Sequence, residues 1–168
     1  QARRRMDWRR ELMTRGEKRR STDSFDGRVR LRIYREIVSS GRVPSAEEVA
    51  TRMRRPVEDI RSSFERLEAG QALTLEKDTR EIMRAAPFWA SPTGFQVESG
   101  RRSWWASCIW DALGVPAMLG RDARILTGCG CCGEAMTLSV RDGRLEQARG
   151  VIHFAVPARQ WYHDLVFT

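Results

Sequence analysis

The sequence predicts an α+β fold, helical toward its N-terminus and β-rich toward its C-terminus. Apolar residues recur at helical spacing between residues 26 and 85. Beyond Pro87 and Pro92 the pattern changes to short alternating runs bounded by Gly and Asp, which is strand and turn chemistry. With 168 residues and 41% hydrophobic content, the chain can bury a core despite its many charges.

Residues 1–25 form a basic arm, with residues 1–20 contributing +6 of the net charge of +8. Such an arm attracts polyanions. The next segment, "RVRLRIYREIVSSG", places Val29, Ile33, Ile37 and Val38 at helical spacing and stops at Gly41. "PSAEEVATRM" starts a second helix, with Ser45 and Glu48 in the capping-box positions. "RPVEDIRSSFERLEAG" gives a third, with Val57, Ile60, Phe64 and Leu67 on one face and Gly70 after its end. "QALTLEKD" reads as a short strand or wing. Residues 26–85 therefore resemble a winged-helix-like module of three helices. The outer face of the third helix carries Glu58, Asp59, Arg61, Glu65 and Arg66 and is nearly neutral, so nucleic acid binding is expected to be weak at most.

In the second half, "GFQVES" reads as a strand. A helix containing Cys108 follows and is expected to end at Gly114 and Pro116. "ARILTG", "AMTLSVRDGRLEQ" and "GVIHFAVP" read as strands, with "RDG" as a hairpin turn. In the alternating run, His153 reads as a core or face residue. "RQWYHDLVFT" reads as a closing apolar strand or short helix. No apolar run is long enough to span a membrane and no secretory pattern is read, so a cytoplasmic location without membrane contact is expected.

The chemistry concentrates in "SWWASCIWDALGVPAMLG". Helical spacing brings Cys108 and Asp111 to one face, among Trp104, Trp105 and Trp110. Burial and a neighbouring thiolate both disfavour a charged Asp111, leaving an acid able to hand over a proton. A thiolate beside it would bind a soft metal. The bland alternative is a small buried thiol with a hydrogen-bonded carboxylate.

This stretch resembles the segment of organomercurial (alkylmercury) lyases that carries a Cys-x-x-Asp followed by a run ending in Leu-Gly. "GFQVESGRRSWWASC" and "RDARILTGC" extend the likeness on either side, and most of residues 26–168 are covered. The resemblance implies a winged-helix-like three-helix module followed by a β-rich mixed α+β catalytic domain over residues 86–168. It implies cleavage of carbon–mercury bonds, with Cys108 as thiolate and metal ligand and Asp111 as proton donor. It further implies mercury resistance and detoxification as the setting, Hg(II) as bound product, no required cofactor, and low-molecular-weight thiols or a mercuric reductase as recipients. The family's second cysteine, near the C-terminus, has no counterpart in "RQWYHDLVFT", where Tyr162, His163 or Asp164 stands about where it would fall. Either it lies past Thr168, or another cysteine substitutes, or the activity is gone.

A second thiol group, "CGCCGE", offers Cys129, Cys131 and Cys132 as metal ligands. The Cys-x-x-Cys spacing admits a soft-metal site, a zinc or other structural metal, or free or disulfide-forming thiols. The reading from a different class is thus a non-enzymatic soft-metal binder or thiol-based sensor, contacting DNA through the helical module.

Overall fold

The computed structural model describes residues 24–146, 150–154 and 157. Residues 1–23 of the basic arm and the segment around His163 lie outside the described residues, and the arm's last residue, Phe25, already opens the first helix. Four helices and an eight-stranded antiparallel sheet make up the rest: α1 (Phe25–Ser40), α2 (Ala46–Met53), α3 (Val57–Ala69), β1 (Thr74–Leu75), β2 (Ile82–Ala85), β3 (Phe88–Trp89), β4 (Gln96–Ser99), β5 (Arg102–Trp105), α4 (Ile109–Leu119), β6 (Ala123–Gly128), β7 (Ala135–Arg141) and β8 (Arg144–Glu146). The sheet order is β1-β2-β3-β5-β4-β6-β7-β8. No helix among the described residues is long and apolar enough to cross a membrane.

The three N-terminal helices form where the apolar spacing places them. Val29, Ile33 and Ile37 of α1 are buried against Val49 and Ala50 of α2 and Ile60, Phe64 and Leu67 of α3 in one apolar core. Ser45 accepts from the Glu48 amide at 3.3 Å, and Glu48 accepts from the Ser45 amide at 3.0 Å, completing the capping box. The Arg42 guanidinium holds the Glu48 carboxyl down at about 2, helped by that amide bond. Asp26, in the first turn of α1, accepts from Ser63 at 2.7 Å and from Arg66 at 2.8 and 2.9 Å, tying α1 to α3.

The helices and the sheet share this core. Trp104 of β5 is 1% exposed and donates its indole N–H to the Ile37 carbonyl at 2.8 Å. The same carbonyl accepts from the Gly41 amide at 2.9 Å. Gly41 adopts φ +85, and a Cβ there would stand 2.9 Å from the Ser103 carbonyl oxygen. Only a residue without a side chain lets α1 end against β5 in this way. Gly41→Ala is expected to cost about 2–4 kcal/mol, combining the left-handed strain with overpacking. A urea melt should show a lower midpoint with an unchanged slope.

Several sequence expectations need correction. The "QALTLEKD" strand is only two residues long, and its partner β2 lies downstream, unread in the sequence. "RSWW" is a strand too, paired with β4 across the Gly100 turn. The helix after Cys108 continues through Gly114 and Pro116 to Leu119, because Ala112, Val115 and Pro116 are buried on one side of it. Tertiary burial there outweighs the missing proline amide. "VIHF" of the expected "GVIHFAVP" strand is not a strand; Val151 is 93% exposed, His153 is exposed, and Phe154 turns its ring onto Trp110. Alternation alone does not make a strand. The "RDG" turn joins β7 to β8 as read, with Asp142 and Gly143 at φ +47 and +71, the left-handed pair that two-residue hairpins prefer.

Candidate active site

Cys108 does not stand within the helix body. It is the N-cap of α4, with extended backbone (φ −151), and its carbonyl accepts from the Ala112 amide at 2.9 Å. Asp111 is then the third helical residue. An N-cap and a third-position side chain are the two that meet in a capping box, as Ser45 and Glu48 do in α2. The two sequence-predicted residues thus stand three apart at a helix end and not along a helix face, and Cys108, unlike Ser45, makes no side-chain cap hydrogen bond. The positive end of the helix dipole also favours negative charge there.

The carboxylate of Asp111 is buried, with 8% of the residue exposed. Its Oδ2 accepts from Ser107 Oγ at 2.6 Å and from Arg84 Nη2 and Nε at 3.1 and 3.3 Å. This corrects the purely apolar surroundings expected from the sequence. A guanidinium, itself four-fifths buried, forms an ion pair with the acid. Arg84 comes from β2, 27 residues upstream, and no local pattern signals it. Ser107 adjoins Cys108, and its adjacency was the one available signal.

The tryptophans divide. Trp104 is core, Trp105 is half-buried, and Trp110 is 57% exposed beside Phe154. Cys108 itself is half-buried.

The second thiol group sits on the loop between β6 and β7. Cys129 donates its amide to the Glu134 carbonyl and accepts from the Gly133 amide, both at 2.8 Å, so the loop is closed at its base. Gly133 takes φ +73 to make the turn. Backbone amides of Cys132 and Cys131, and then the Cys132 thiol, hydrogen-bond the Cys129 sulfur and hold its thiol below the ordinary range. Cys131 and Cys132 are exposed. Among the described residues, no three Cys, His, Asp or Glu side chains gather closely enough to hold a metal ion. Cys108 and the loop cysteines are therefore not drawn into one such group.

Residues 88–168 match the family model for MerB, alkylmercury lyase. The fold is similar to that in the crystal structure of the mercury-bound form of MerB2, with a TM-score of 0.56 and 21% sequence identity. That likeness covers 71% of this chain and 58% of the other, so the chain spans somewhat over half the length of that solved structure. No curated protein matches the sequence.

Proposed function

From the match of residues 88–168 to the alkylmercury lyase family model, we propose that the chain cleaves carbon–mercury bonds at Cys108 and Asp111. The observation that carries this is the placement of a thiol at the N-cap of α4 three residues before a buried carboxylate, inside the family-matched segment.

The substrate is an organomercurial thiolate, R–Hg–SR′. Cys108 Sγ bonds the mercury, and its proton passes to the Asp111 carboxylate. The ion pair with Arg84 suits this step, because a carboxylate can accept the thiol proton and an already protonated acid cannot. Arg84 and Ser107 hold Oδ2 in place while the other oxygen stays available. The carbon–mercury bond then breaks. Its electron pair takes the proton from Asp111, releasing R–H and restoring the carboxylate. Mercury(II) is left bound to the Cys108 sulfur and the R′S⁻ group. Sulfur favours this soft ion over harder ligands. Low-molecular-weight thiols or a reductase then remove it. The N-terminal helices, winged-helix-like in order, supply the support for Trp104 and no chemistry.

Incubation of the reduced protein with phenylmercury and excess thiol tests the reading. Benzene should form catalytically. Benzene at the rate of the protein-free control would overturn it.

A further inference from the structure

We propose that the β6–β7 loop is a second mercury site, a two-coordinate dithiolate formed by Cys129 and Cys132. This inference does not depend on the lyase reading, because it uses neither Cys108 nor Asp111.

The loop is built and not merely cysteine-rich. Its base is locked by the paired 2.8 Å bonds between Cys129 and Glu134 and between Gly133 and Cys129. Within that closure Cys132 directly precedes Gly133, whose amide bonds back to the Cys129 carbonyl, so the Cys-x-x-Cys is folded into one closed turn. Its two cysteines thus stand at the two ends of that turn before any ion arrives. Cys132 is exposed and Cys129 half-buried, so an ion can enter from solvent.

Ligand number decides which ion fits. A closed zinc site takes four ligands in a tetrahedron. The described residues assemble no group of even three. Mercury(II) needs only two thiolates in line, and sulfur is the donor it prefers. Binding replaces two S–H bonds by two S–Hg bonds and releases two protons, with no oxidant or reductant. Cys131 stands inside the turn, and the ligand set is the Cys-x-x-Cys pair at its two ends.

The test uses the full chain carrying Cys108→Ser, which leaves Cys129, Cys131 and Cys132 as its thiols. Reduced protein receives one equivalent of mercuric chloride, then glutathione as competitor, and is read by native mass and by alkylation mapping. One mercury should stay bound, with Cys129 and Cys132 protected and Cys131 alkylated. Adding Cys129→Ser or Cys132→Ser should abolish retention, while adding Cys131→Ser should leave it intact. Far-UV circular dichroism checks that each variant folds. Loss of mercury to glutathione in the Cys108→Ser chain would overturn the proposal, as would protection of Cys131 or retention that survives loss of Cys129 or Cys132. Benzene release by the unsubstituted chain is scored separately, so failure of one reading leaves the other standing.

Discussion

Replacing Cys108 with serine should reduce hydrocarbon release from phenylmercury to background. Serine keeps the N-cap position filled and is a better cap than cysteine, so the helix and the fold should survive. What is lost is the soft donor. A hydroxyl oxygen does not compete with solvent thiols for mercury, and no later step can proceed on an ion that is never bound. The check is benzene formation alongside a thermal melt. Intact melting with no benzene is the expected pair of results. Turnover near that of the unsubstituted protein would remove Cys108 from the reaction.

Asp111→Asn should fail at a different step. The amide keeps the shape and can still accept from Ser107 and Arg84 through its oxygen, but it cannot take up and return a proton. Loss of a general acid costs about 10²–10⁴-fold in rate. In the variant the Cys108 thiol loses its proton to solvent instead of to Asp111, so capture still proceeds without a proton held for carbon. A phenylmercury adduct should therefore accumulate on Asp111→Asn, visible by intact mass after thiol excess, and should be absent from Cys108→Ser. Cleavage at the parent rate in Asp111→Asn would make the carboxylate a structural partner of Arg84 and place the proton elsewhere. The two variants together separate binding from protonolysis, which neither resolves alone.

Arg84 shows what the linear order of residues conceals. It reaches Asp111 only because β2 pairs with β3, bringing residue 84 opposite Trp89 in the sheet that carries α4. The approach of β5 to the end of α1 is likewise absent from any local pattern. It rests on an indole donating to a carbonyl 67 residues away and on the lack of a Cβ at Gly41.

Local chemistry was enough for much of the rest. Helix formation is decided within a few turns, so the apolar spacing of Val29, Ile33 and Ile37, the Ser45–Glu48 capping box and the Gly stop signals marked three helices in the sequence itself. The strand at residues 123–128 and the Asp142–Gly143 turn were legible for the same reason. Cys108 and Asp111 stood out because a three-residue separation puts two side chains on one face of a helix and because the surrounding stretch resembles a known family. Strand partners, by contrast, are chosen by the whole sheet. β2 and β5 lacked a local signature, and the "VIHF" run had one and forms no strand. Pro116 was passed over by a helix whose buried side outweighed its breaker. Short-range hydrogen bonding and periodicity thus determined the helices and the turns from sequence and singled out Cys108 and Asp111 as candidates. Long-range pairing and burial decided the sheet order, and with it the cation set against the acid.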